Sequence, residues 1–241
     1  MRRESGLKFA VPLRATGSRA LAAFLLGLLV WAPGLSFGAE STDCSGGSER
    51  PLTGAIKGNV SVPVGATCVI NNAEIFGNVR VFWNGSISLY QTRIHGDFTA
   101  TGASGVRFNS LGEDPGGLRG SVTVDGDVTI KESHFTRTSG FGDATVIGKD
   151  LELKRNRAAE KGVVFVMCPA AWCRPSDSLQ VMGDVGIKWN QIPIEINNIH
   201  IGGDLNCRDN ARTAAPPNGS PPLVDITFRK ATGQCANLAP R

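Results

Sequence analysis

Apolar and polar positions recur in one fixed order along most of the chain. Seven segments share a template: apolar, any residue, Gly, Asn or Asp, apolar, any residue, apolar. They are "IKGNVSV" (56–62), "IFGNVRV" (75–81), "IHGDFTA" (94–100), "VDGDVTI" (124–130), "IGKDLEL" (147–153), "VMGDVGI" (181–187) and "IGGDLNC" (201–207). The Asn/Asp column is filled every time, and Lys149 alone interrupts the Gly column. The apolar pair after it flanks one outward-type residue, which is the alternation of a half-buried strand. The central positions are Gly58, Gly77, Gly96, Gly126, Lys149, Gly183 and Gly203, so the steps are 19, 19, 30, 23, 34 and 20. The base period is 19 to 20, and the longer steps read as the same unit with an inserted loop. One insert holds the turn-rich "LGEDPGG" and another holds "CPAAWC". A second strand, "CVI" at 68–70, "ISL" at 87–89 and "IEI" at 194–196, recurs before the Gly. Short strands at a period near twenty, with little helical patterning, predict an all-β fold. Its specific form is a single-stranded right-handed parallel β-helix, a solenoid of coils of about 19–20 residues with looped insertions and disulfide-tied ends.

Seven residues after each central position stand Gly65, Asn84, Ala103, Ser133, Asn156, Asn190 and Asn210. Asn and Gly tolerate left-handed backbone angles, so this column is expected to supply the corner residue, with Asn side chains stacking along the axis. Solenoid repeats are assigned to 58–210, an N-terminal cap to 39–57, and a C-terminal cap or tail to 211–241.

"GGDLNCRDN", followed by a Pro/Asn/Gly-rich stretch and a closing "GQC", resembles the C-terminal end of uncharacterised exported bacterial repeat proteins with Gly-Asp-Leu-x-Cys motifs. The looser pattern from 54 to 210 resembles right-handed parallel β-helices. The group carries no activity that could be transferred. The tail departs from it, with "DITFRKATGQC" where a second Gly-Gly turn is expected. The resemblance implies that Cys207 and Cys235 pair to tie down that end.

The start of the chain modifies the charge balance. Arg2, Arg3, Lys8, Arg14 and Arg19 precede thirteen uncharged residues, "ALAAFLLGLLVWA", and then Ser36-Phe37-Gly38. This is the order of a secretory signal, residues 1–38. The apolar run is shorter than the roughly 20 residues of a spanning helix, so no membrane span is expected after cleavage. The whole chain has 25 Lys+Arg against 21 Asp+Glu. Without the leader's five bases and one acid it is balanced, which argues against nucleic acid as a partner.

Six cysteines, Cys44, Cys68, Cys168, Cys173, Cys207 and Cys235, follow the leader. An even number in an exported chain favours disulfides. Fifteen pairings exist, and the simplest joins neighbours: Cys44 with Cys68, Cys168 with Cys173, Cys207 with Cys235. Zinc lacks a CxxC pair with a nearby His, and no metal or other cofactor is expected.

Catalysis has one candidate, the column acids Asp97, Asp127, Asp150, Asp184 and Asp204. Stacked coils would bring neighbouring carboxylates to about 5 Å, a spacing that suits a retaining glycosidase. Yet Asn59 and Asn78 occupy the same column. Asn keeps turn chemistry and abolishes acid–base chemistry, so the column reads as turn-forming. His95, His134 and His200 have no partner at a diagnostic spacing. No catalytic residue is assigned. A candidate ligand edge is Trp83, Arg155, Lys188, Trp189 and Arg208, beside the corner. Trp could stack on a sugar there while Lys or Arg meets carboxylates. Trp83 and Trp189 lie far apart in repeat order, so one short ligand is not expected to use both. The reading is therefore an exported non-enzymatic β-solenoid, periplasmic, cell-surface or secreted, whose partner is cell-wall or extracellular polysaccharide. The alternative is a polysaccharide lyase or hydrolase built on the Asp column.

Overall fold

The computed structural model describes residues 41–109, 120–142, 144–168, 178–211, 213–214 and 226–236. The leader 1–38, Cys173 and the "LGEDPGG" insert lie outside them. The described residues form strands and turns with no helix, and every strand pair among them is parallel. The fold is all-β.

A nine-stranded sheet takes one strand from each repeat. Its order is Ser41–Asp43, Asn59–Val62, Val79–Val81, Phe98–Thr101, Val128–Lys131, Leu151–Lys154, Val185–Lys188, Asp204–Arg208 and Lys230–Gly233. The template sets the register. Val60 pairs Val79, Val79 pairs Phe98, and the column continues through Val128, Leu151, Val185 and Leu205. Each residue of that column is at most 1% exposed. Alternation explains this, since successive side chains point to opposite faces and the apolar set must face inward.

The second sheet branches. The long strands Thr67–Ile75 and Ser86–Ile94 pair along their length. Beyond them, one branch runs through Gly105–Phe108, Ser139–Phe141, Phe165–Met167 and Ile194–Ile196. The other runs through Val122–Val124, Thr145–Ile147, Leu179–Val181 and Ile199–Ile201. The insertion is located by register: Leu89 pairs Phe108 but Thr92 pairs Val122. Extra residues between Phe108 and Val122 thus break one long strand into two. Middle repeats therefore hold three main strands.

Phe side chains fill the interior where the branches part. Phe98 meets Phe108 at 4.8 Å between ring centroids, Phe108 meets Phe141 at 4.8 Å, and Phe141 meets Phe165 at 5.7 Å. Tilted and edge-on pairs of this kind add packing beyond area burial.

Both sheets run on at the two ends. Thr42 pairs Val60, and Ala231 pairs Leu205. The segment "FRKATG" thus forms a last strand without a Gly-Asp turn. Disulfides stand at both ends: Cys44–Cys68 with Cα atoms 5.4 Å apart and Cys207–Cys235 at 5.3 Å. Cys168 is also disulfide-bonded.

Candidate functional site

Three clusters of polar side chains have a defined geometry, and each begins at a column of the repeat.

The Asn/Asp column is a ladder of side chain to backbone. Asn78 N–H donates to Asn59 Oδ1 at 2.8 Å, and Asp97 N–H donates to Asn78 Oδ1 at 2.8 Å. The same bond recurs from Asp127 to Asp97, Asp150 to Asp127, Asp184 to Asp150 and Asp204 to Asp184, at 2.7–3.0 Å. Amide and carboxylate oxygens accept this bond alike, so Asn and Asp interchange in the column. The ladder also explains the Gly column. A Cβ at Gly126 would collide with Asp97 Oδ1, and one at Gly203 with Asp184 Oδ1. Beside the ladder runs an open groove of about 530 Å³, lined among others by Asp127, Asp150, Glu152, Asp184, Lys188 and Lys230. Glu152 and Lys188, from adjacent strands, form an ion pair within it at 3.9 Å.

The Asn column is a second, buried ladder of opposite polarity. Asn156 N–H and Nδ2 both donate to Asn190 Oδ1 at 3.0 Å. Asn190 makes the same pair of bonds to Asn210 Oδ1 at 3.0 and 2.9 Å. Its Nδ2 also donates to Leu153 O at 2.9 Å. Asn190 is 0% exposed, and these bonds offset the cost of burying its amide. The acceptors here lie on the later repeat, whereas in the Asp ladder they lie on the earlier one.

The last strand closes both ladders with other residue types. Arg229 Nε donates to Asp204 Oδ1 at 2.8 Å, and Gln234 Oε1 accepts from Asn210 N–H at 2.8 Å. The Arg229 hydrogen bond holds the Asp204 carboxyl below the usual carboxylate range, and Asp204 in turn raises the Arg229 guanidinium.

The corner follows the sequence expectation in the first repeats, where Gly65 and Asn84 have φ of 72° and 56°, and departs from it afterwards. In the later repeats the left-handed residue is the one before the buried column residue, Ser133, Asn156, Asn190 or Asn210. Glu132, Arg155, Trp189 and Asp209 have φ of 54°, 55°, 56° and 53°. The left-handed turn swings the following side chain inward, and the amide then bonds across repeats. Each such residue costs roughly 1–2 kcal/mol in that conformation, and its own side chain is thrown outward.

That outward throw contributes Glu132, Arg155 and Trp189 to the third cluster. Trp83, Glu132, Arg155, Arg157, Trp189 and Gln191 line one groove of about 530 Å³. Trp83 and Trp189 therefore share a surface despite their distance in the sequence. The reason is local: the Trp83 ring lies across Gly102, so close that a Cβ there would strike it. At the other end, Lys154 Nζ and Arg155 Cζ stand 5.4 and 5.6 Å from the Trp189 ring. The candidate edge is thus divided. Trp83, Arg155 and Trp189 come together, Lys188 joins the acidic groove, and Arg208 is held by Asp209 at 3.0 Å. Arg157 and Gln191 were not foreseen. Both directly follow a buried Asn, Asn156 and Asn190, and that position was the signal.

Elsewhere, His95 lies between Glu74 and Asp125, with nitrogens 2.9 Å from each carboxylate. His200 Nδ1 meets Thr227 Oγ1 at 2.8 Å. Among the described residues no three or more of His, Cys, Asp and Glu are grouped to hold a metal ion. Among the described residues there is no helix long and apolar enough to cross a membrane. No family model, curated protein or solved structure matches the chain.

Proposed function

We propose that the chain is an exported right-handed parallel β-solenoid that works without catalysis, as a structural or binding module of the cell envelope or extracellular space. One observation carries the reading. Six consecutive Oδ1 atoms of the Asn/Asp column accept the backbone N–H of the next repeat. The acids that catalysis would need are thereby engaged in holding neighbouring repeats together. Parallel strands at a period near twenty support the solenoid form, and disulfides at both ends support an oxidising, exported location. The likeness of 201–237 to exported Gly-Asp-Leu-x-Cys proteins points the same way.

The rival is a carbohydrate-active β-helix. The acidic groove favours it, since Asp150, Glu152 and Asp184 share one open surface. The test is incubation of the purified protein with cell-wall and extracellular polysaccharides, reading retention and released reducing ends or unsaturated sugars together. Retention without product supports the module. Product formation that disappears when Asp127 and Asp184 become Asn overturns it.

A further inference from the structure

The corner groove deepens the binding reading, on which it rests. It has an indole at each end and a polar, cationic floor. Trp83 is 51% exposed and Trp189 39%, unusual for residues that normally bury most of their surface. Neither is loosely placed. Trp83 is seated against Gly102, whose own φ is 69°, and Trp189 is flanked by Lys154 and Arg155. A ring fixed in the open offers an apolar face together with a polar N–H, which is what an amphipathic ligand meets.

The lining sets two cations, Arg155 and Arg157, against one acid, Glu132. Arg155 pairs Glu132 at 3.6 Å, so these two charges cancel and the net positive charge of the lining comes from Arg157. Arg157 is exposed, and among the described residues its side chain has no hydrogen bond or ion pair. Lys154 adds a further cation beside Trp189. Guanidinium groups bind carboxylates in a bidentate fork. The length matters too. Trp83 and Trp189 sit four repeats apart, about 19 Å at a strand spacing of ~4.8 Å. A monosaccharide cannot touch both, whereas an extended chain can.

We infer that the groove between Trp83 and Trp189 binds an acidic polysaccharide, with sugar faces stacked on the two indoles and a uronate carboxylate held by Arg157. The ladders account for the shape of this surface. A flat sheet face would not project these side chains, but the left-handed residues do so at Glu132, Arg155 and Trp189.

The test uses the purified full-length protein with two polyuronates, polygalacturonate and alginate. Methyl-esterified polygalacturonate and a neutral glucan serve as controls, and binding is read by affinity electrophoresis and calorimetry. Trp83→Ser and Trp189→Asn are chosen because Asn tolerates the left-handed backbone at 189, and thermal melts check that each variant folds. The expected result is binding of at least one polyuronate, weakened tenfold or more by either Trp variant. Arg157→Gln should weaken acid binding and leave ester binding unchanged. The inference is overturned if neither polyuronate binds, if ester and acid bind equally, or if the double Trp variant keeps wild-type affinity. Cleavage of a bound polymer would instead contradict the non-catalytic reading and leave this one standing. Cell-wall retention indifferent to both Trp variants would do the reverse.

Discussion

Arg229 Nε donates to Asp204 Oδ1 at 2.8 Å, in the place where every earlier repeat has a backbone N–H. A ladder of identical bonds always ends with one group unmet. Here the unmet acceptor is on the last Gly-Asp turn, and a side chain from the final strand reaches back to satisfy it. Gln234 does the same for Asn210 in the buried ladder. Arg229 and Gln234, one on each side of the strand Lys230–Gly233, therefore end two ladders of opposite polarity, and Cys235 of the closing disulfide directly follows Gln234.

The first prediction concerns acid. The Asp204 carboxyl is held below its ordinary value of 3.8 by Arg229. A depressed carboxylate stabilises the folded state above the unfolded value, and that contribution is lost as pH falls through the folded value. Replacing Arg229 by Met should lower the melting temperature at pH 6 and leave a smaller further loss between pH 4 and pH 2 than the wild type shows. An unchanged difference between the two proteins across that range would contradict the assignment.

The buried ladder is predicted to be the more costly one to break. Asn190→Ala strips the acceptor from Asn156 N–H and Nδ2 and the donor from Leu153 O. Each buried group left unmet costs roughly 1–3 kcal/mol, so chemical denaturation should show a loss of about 2–5 kcal/mol. Trp83→Ser, on the surface, should stay within ~0.5 kcal/mol of wild type.

The end staple has its own expectation. Cys207→Ser with Cys235→Ser opens a bridge between residues 28 apart in sequence. The loss should be about 2–4 kcal/mol, and hydrogen exchange should rise first in 204–208 and 230–233. An even rise across the whole chain would place the weakest point elsewhere.

Much of the fold is legible in the sequence, and the reason is specific. The template aligns Val60, Val79, Phe98, Val128, Leu151, Val185 and Leu205, and the strands pair in that register at all six steps. A column that must be apolar on one side and must accept an N–H beside a close backbone contact leaves few residue types open. The corner was less legible. The column residues Gly65 and Asn84 take the left-handed angle themselves, but in later repeats it falls one residue earlier, on Glu132, Arg155, Trp189 and Asp209. Nothing in those residue types announces it, because the burial of the following amide imposes it. The groove between Trp83 and Trp189 was hidden for a related reason. It depends on a ring lying across Gly102, a contact between neighbouring repeats that linear spacing does not carry.

The Asp column bears the central claim, and its substitution by Asn is the sharpest probe. Asn supplies the same Oδ1 acceptor to the next repeat, as Asn59 and Asn78 already do, but it cannot act as acid, base or nucleophile. The decisive measurement is thermal unfolding together with glycan-product release for the double variant Asp127→Asn and Asp184→Asn. The double Ala variant runs beside it. The account predicts that the Asn variant melts with the wild type to within ~0.5 kcal/mol. The Ala variant should lose about 0.5–1.5 kcal/mol per ladder bond, and none of the three should release sugar. A wild type that cleaves a glycan, and an Asn variant that folds as well but cleaves none, would contradict it.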